Sequence, residues 1–405
     1  MKTDIGLDPF TAEAALDPHA VYRRLRAEAP VMYHESMDAW TVARHADVLE
    51  LMRAAKTFSS ELGMGELMSG RLVPGREPAY QMDLGDSLRF VIASDPPDHT
   101  KLRRLVSAPF GVREVAPMEA RLRELCERLV DDLVAADEPD IIEHVGWPLP
   151  VTAIAQVLGI PPELGEDFKR WSTELVGGLA GDIDFAARAD TLMEMFAFFG
   201  SAIAERQASP GDDAISVLVA KGSAIPGEEP LTPNELVLFC ILLLIAGNET
   251  TTNLVGNAVH AFFDHPDQWQ RLVDDPSLVA VAVEEMLRFD GPVKSVMRMN
   301  AEAATIAGVE LPPMARILPL FSSANRDETI WPDGDVLRVD RNPKEHVAFG
   351  YGVHQCLGAP LARLEARVLF ETLARRGITL APRGEASPIS SPILRGFSKV
   401  PVALS

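Results

Sequence analysis

A twelve-residue apolar run, Leu236–Gly247, constrains the fold of this chain more than any other stretch. Thr232-Pro233-Asn234-Glu235 stands just before it. That order is a capping box with proline in the first turn: a threonine hydroxyl accepts from the amide three residues on, and the glutamate reaches back to the threonine amide. A long helix therefore starts here. Crossing a bilayer takes about 20 apolar residues, so the run reads as the core helix of a soluble protein. No membrane partner is expected.

Helical periodicity dominates elsewhere too. Asp17–Ala29, Arg44–Ala54 and Val115–Ala136 place apolar residues three and four apart. Strand signals are short: Val31–Tyr33, Ala39–Val42, Thr305–Ile306 with Val309–Leu311, and Ala315–Leu320. With no repeat and no flexible linker, the expectation is one large domain over 1–405, mainly α with a minor β part. Ser59–Ile92 and Gly177–Asp184 lack periodicity and read as functional loops. A 47% hydrophobic content excludes a disordered chain. A formal net charge of -21 repels phosphate backbones, so nucleic acid is not an expected partner. Cys126, Cys240 and Cys356 are too few and too far apart for a disulfide framework or a CxxC metal knuckle. The first eighteen residues carry acids and no apolar signal core. Both features point to a reducing, cytoplasmic setting.

The segment Phe349–Gly358 (FGYGVHQCLG) is the most informative for chemistry. The residues after it, Ala359–Arg376, form an amphipathic helix pattern, with Pro360 suited to the first turn and Gly377 to the stop. Cys356 thus sits just before a helix N-terminus, where free amides favour a thiolate. The flanking glycines let backbone pass close to something large and flat. Three further patterns stand out. Glu285 and Arg288 share a face of a helix bounded by Asp275-Pro276 and Asp290-Gly291-Pro292. Leu242, Ala246 and Thr250 fall on one stripe of the apolar helix. There Gly247 loosens the ladder, and Thr250 can bond back to the Ala246 carbonyl and bend the helix. His99 and Arg103 lie four apart, spaced for two donors to reach anionic carboxylates.

Phe349-x-x-Gly352-x-His354-x-Cys356-x-Gly358 resembles the haem-binding loop of the soluble bacterial cytochromes P450. The other motifs occur in that family's order, and the resemblance runs from about Asp8 to Leu404. It implies a P450 fold, a helical prism with haem b between the central helix and the cysteine-loop helix. Cys356 would be the axial ligand of the haem iron. Phe349, Gly352 and Gly358 would shape the loop, and His99, Arg103, Arg298 and His354 would meet the haem propionates. Glu285 and Arg288, completed by Asn325-Arg326-Asp327, would brace the loop. Thr250 would face bound O2, with Glu249 relaying protons.

The implied reaction is monooxygenation, inserting one oxygen atom from O2 into a hydrophobic organic substrate by hydroxylation or epoxidation. No flavin or ferredoxin domain follows Ser405, so electrons are expected from a separate ferredoxin and ferredoxin reductase. Arg104, Arg113, Arg341, Lys344 and Arg363 are candidates for docking them. The alternatives are a hydrogen peroxide-dependent peroxygenase and a non-catalytic haem-thiolate sensor. The implied substrate pocket includes Leu242, Ala246, Val293, Lys294, Val296, Ile393 and Leu394. Lys294 reads as solvent-facing, with anchoring of a substrate carboxylate as the other reading.

Overall fold

The computed structural model describes residues 7–11, 14, 17–68, 90–161, 164, 167–168, 170–171, 174, 189–222 and 230–405. Its axis is the helix predicted from the capping box. The Thr232 hydroxyl accepts from the Glu235 amide at 3.2 Å, and the Glu235 carboxylate accepts from the Thr232 amide at 2.7 Å. From there the helix runs unbroken for 32 residues, Pro233–Asp264. Its length and composition would suit a membrane span, yet 67% of the apolar window is buried within the protein. It is a core helix.

This helix serves two cores in turn. Its first half, with Leu236, Phe239, Ile241 and Leu244, packs with Ile154, Leu158 and Phe199 from helices Pro148–Leu158 and Ala189–Ala208. Its second half, with Leu254, Val259 and Phe262, packs with Leu122, Leu129, Val283, Leu287, Val368 and Leu369. Those partners lie on helices Glu119–Ala135, Val279–Asp290 and Ala359–Arg375. The polar stretch Asn248–Asn253 falls at the changeover, where neither core claims it.

The β part is small. Strands β1 (Val31–His34), β2 (Ala39–Val42), β3 (Phe58–Ser59), β4 (Arg298–Asn300) and β7 (Arg316–Pro319) form one sheet in the order β1-β2-β7-β4-β3. Only the β2–β7 pair is parallel. Strands β5 (Ala304–Ile306) and β6 (Val309–Leu311) make a hairpin. Two further pairs join β8 (Leu380–Pro382) to β11 (Val402–Leu404) and β9 (Ser387–Pro388) to β10 (Phe397–Lys399).

Two sequence expectations are corrected. The single helix expected over Val115–Ala136 begins as a tight turn, Ala116–Met118, because Pro117 lacks the amide an α-helix interior needs. In the stretch read as loop from Ser59, residues Ser60–Met68 form a helix. Its cap is remote: the Asp95 carboxylate accepts from the Ser60 amide at 2.8 Å and from the Ser59 hydroxyl. Residues 69–89 of that stretch, and all of Gly177–Asp184, lie outside the described residues.

Candidate active site

Loop geometry isolates one cysteine. Gly350 and Gly352 adopt left-handed backbone, with φ of 69° and 75°. A Cβ on Gly352 would also lie 2.9 Å from the Met52 carbonyl oxygen, so a side chain is excluded twice over. The Cys356 amide donates to the Phe349 carbonyl at 2.8 Å, closing the loop one turn before helix Ala359–Arg375. Cys126 and Cys240 are buried, and burial pushes their thiols up to about 12; Cys356 is accessible. The Gly358 and Ala359 amides hydrogen-bond the Cys356 sulfur, and Arg103 and Arg363 add positive charge. The protein packed around the sulfur acts the other way and pushes the thiol up. A coordinating metal deprotonates its thiol ligand outright.

Four nitrogen donors converge beside the cysteine. The His99 and His354 rings lie 4.0 Å apart between centroids. Among the described residues, both ring nitrogens of His99, which is 1% exposed, and Nε2 of His354 are buried without a hydrogen-bond partner. Burial, aided by Arg103 and Arg298, holds His99 down to about 4 and His354 to about 3, so both are neutral at pH 7. Burial likewise lowers Arg298 to about 10 and depresses Arg103, which feels the Cys356 charge. Asp95, the nearby carboxylate, is engaged with Ser59 and Ser60. Buried unpartnered donors are costly unless something accepts from them. A cofactor bearing carboxylates beside a thiolate-bound metal fits this donor set, and haem with its two propionates is such a group.

Behind the loop lies a buried ion pair. Glu285 and Arg288 side chains are both 0% exposed and joined by two hydrogen bonds of 2.7 Å. Arg288 Nη1 also donates to the Asn325 and Gly334 carbonyls, and Arg341 donates to Glu285 at 3.1 Å. The Asn325 side chain in turn accepts from the Val347 amide at 2.7 Å, two residues before Phe349. Arg326 turns elsewhere, to the Phe289 carbonyl, and Asp327 accepts from the His45 amide.

On the central helix the Thr250 hydroxyl donates to the Ala246 carbonyl at 2.8 Å. The helix does not break there, and a Cβ on Gly247 would make only ordinary contact with Ile154. Ala246 and Gly247 are accessible, whereas Asn248 and Glu249 are buried. Burial pushes the Glu249 carboxyl up to about 8. Leu357, next to Cys356, packs against the core that holds Ile241 and Leu244, which sets the cysteine loop beneath this stretch. Sequence reasoning missed Glu365, a fully buried acid on the cysteine-loop helix that Thr251 hydrogen-bonds; burial raises it to about 8. Its signal was available: it lies four residues after Leu361, on that helix's apolar stripe.

The pocket candidates divide. Val293 bridges Leu394 in antiparallel fashion, and both join Ile393, Met64 and Met297 in one apolar cluster. Val296 instead packs into the sheet's core with Val31, Val42 and Ile317, and is not brought to that cluster. Leu242 lines a separate cavity with Phe90, Leu102, Val106 and Phe239. Lys294 is not solvent-facing: it is 3% exposed and its ammonium donates to the Ser391 carbonyl. Two docking candidates already have carboxylate partners within the fold. Arg341 is tied to Asp333 and Glu285, and Arg363 to Glu284 while covering the Phe349 ring at 4.5 Å.

Fold and site together define a haem-thiolate protein. The family model for cytochrome P450 matches residues 273–390. The chain is 35% identical to cytochrome P450 107B1 of Saccharopolyspora erythraea over 97% of this chain and 96% of that one. It is equally similar, at 35%, to vitamin D(3) 25-hydroxylase of Pseudonocardia autotrophica, with 98% and 96% covered. The crystal structure of a Bacillus megaterium P450, CYP109E1, in complex with testosterone superposes with a TM-score of 0.83 at 33% identity, covering 97% and 99%. The chain belongs to the cytochrome P450 family, oxidoreductases that bind haem b through a cysteine thiolate.

Proposed function

We propose that this P450 hydroxylates a hydrophobic organic substrate of steroid-like character, in the cytoplasm, with electrons from a ferredoxin and its reductase. The observation that carries the reading is the accessible Cys356 beside four donors, two of them histidines with unpartnered buried nitrogens. The substrate class is supported by the apolar cluster around Val293, Ile393 and Leu394 and by relatives named for vitamin D3 and bound to testosterone.

In this reading Cys356 would hold the haem iron through its sulfur. His99, Arg103, Arg298 and His354 would receive the haem carboxylates, and Phe349, Gly352 and Gly358 would keep the loop's shape. The bound haem supplies oxygen activation and electron transfer. The protein's remaining task is proton delivery. Thr250 donates its own hydroxyl proton to the Ala246 carbonyl, which leaves its oxygen to act as a hydrogen-bond acceptor. Glu249, with its carboxyl near 8, carries a proton at neutral pH and can release it one residue away. Each turnover takes two electrons, two protons and O2, and yields hydroxylated product and water.

The test is the Soret band of the reduced protein under carbon monoxide, followed by product analysis with a surrogate ferredoxin system. A strongly red-shifted band that Cys356→Ala removes is expected. A band at the position of histidine-ligated haem overturns the assignment. Thr250→Ala is expected to keep the band while diverting electrons to peroxide, measured as NADPH consumed per product formed.

A further inference from the structure

Lys294 has a place in the fold that the function above does not use. A lysine almost never sits fully inside a protein without a counter-charge, yet this one is 3% exposed and its ammonium lies on the Ser391 carbonyl. Its backbone is engaged as well: its amide donates to the Ile393 carbonyl at 2.8 Å, and its carbonyl accepts from Phe321 at 2.7 Å. The turn it grips is drawn tight around Ser391. The Ser391 hydroxyl oxygen accepts from the Ile393 and Leu394 amides at 3.4 and 3.1 Å. The far end is fastened separately. The Arg395 amide donates to the Pro292 carbonyl, its guanidinium to Asp290, and its carbonyl accepts from Asn257 on the central helix. Ile393 and Leu394 therefore project from a turn anchored at both ends, into the cluster with Val293, Met297 and Met64.

We infer that Lys294 is a positioning residue: its buried ammonium clamps the Ser391–Arg395 turn and thereby fixes the Ile393–Leu394 wall against which the substrate is held. This rests on the hydroxylase reading for its consequence, though not for the clamp itself. The ammonium is a charged donor to a neutral carbonyl, a stronger tie than any the turn could make with an uncharged side chain. Losing it removes the side-chain tie at the near end, leaving the Lys294 amide on the Ile393 carbonyl there, while Asp290 and Asn257 still hold the far end. The wall then shifts without unfolding the domain.

The groups around the ammonium allow a pH test. Burial, with Arg395 next, lowers Lys294 to about 8, and Asp290 opposes them. Around Asp290, His19 is held near 4, Tyr22 is raised well above its usual range, and Arg326 lies near 10. Arg395 is raised above its ordinary value and Asp290 is held below its own. Between pH 7 and 9, therefore, Lys294 is the member of this cluster that changes charge.

The experiment compares two azoles on the holoenzyme. Imidazole reaches the iron alone, whereas 4-phenylimidazole also presses a ring on the pocket wall. Lys294→Met is expected to keep the carbon monoxide band and the imidazole affinity while weakening 4-phenylimidazole about tenfold, the scale of one charged hydrogen bond. Lys294→Arg, which keeps a charged donor, is expected to recover most of that loss. The unaltered protein is expected to lose more of its preference for 4-phenylimidazole between pH 7 and 9 than Lys294→Met does, because Glu249 and Glu365 titrate in both while Lys294 titrates in one. Should Lys294→Met fail to fold, the same comparison with Lys294→Arg, whose guanidinium keeps its charge across this range, decides. Equal azole preference in both proteins, or a pH-independent preference in the unaltered one, overturns the inference. Hydrogen exchange over 389–396 separates this from the hydroxylase reading. Faster exchange there in Lys294→Met supports the clamp even if the carbon monoxide band fails, and unchanged exchange refutes it.

Discussion

Glu365 is an acid held where water cannot reach it, and the consequence is a stability that depends on pH. Its folded carboxyl titrates near 8 against an ordinary 4.5, because burial penalises the charged form more than the Thr251 hydroxyl relieves it. Between those two values the folded chain keeps a proton that the unfolded chain has released. Stability therefore falls as pH rises through that window, by up to a few kcal/mol. Glu365→Gln is expected to flatten the fall, seen as a smaller drop in melting temperature between pH 5.5 and 8.5. Glu249, raised in the same direction, leaves a residual slope. Individual residues were legible where a motif fixed their spacing. Cys356, Gly352, Thr250 and the His99–Arg103 pair could be singled out from motif spacing alone. Lys294 and Arg341 were not legible, because their partners, Ser391, Asp333 and Glu285, are brought to them only by the fold.

At the scale of elements, hydrogen bonds from distant segments settle where helices begin and how loops are held. The Thr232 cap is local, so the sequence shows it; the Asp95 cap of helix Ser60–Met68 spans 35 residues, so it does not. The same distinction explains the brace behind the cysteine loop. Glu285 and Arg288 sit on one helix and could be paired on paper, but their burial depends on carbonyls from Asn325, Gly334 and Val336. Removing one charge leaves the other buried and uncompensated, which costs about 3–5 kcal/mol. Glu285→Gln is therefore expected to lower the denaturant midpoint sharply. Because Asn325 links this network to the Val347 amide, the variant is also expected to lose haem from the purified protein. Haem per chain, read by the pyridine haemochrome assay, checks this. A variant that is destabilised yet fully loaded would separate the brace from the loop.

For the whole molecule, charge distribution governs association. The chain carries -21 overall, so an acidic redox partner is repelled from most of its surface. An approach to the cysteine-loop side needs local cations, and the structure narrows the candidates. Arg341 and Arg363 are occupied by carboxylates, whereas Arg113 and Lys344 are exposed. The short helix Val112–Val115 packs against the cysteine-loop helix, which sets Arg113 on that side. Val112, at 73% exposure, and the exposed Tyr351 and Val353 supply apolar surface nearby. A cationic rim around apolar contacts suits a transient complex whose rate is set by steering. Reversing both charges, Arg113→Glu with Lys344→Glu, is expected to lower ferredoxin-driven turnover at low salt. As ionic strength rises, the unaltered protein slows because screening weakens its attraction, while the variant slows less or speeds up. Turnover supported by hydrogen peroxide needs no docked protein and is expected to be equal in both. If it falls in parallel with ferredoxin-driven turnover, the substitutions act on the site itself and the docking face lies elsewhere.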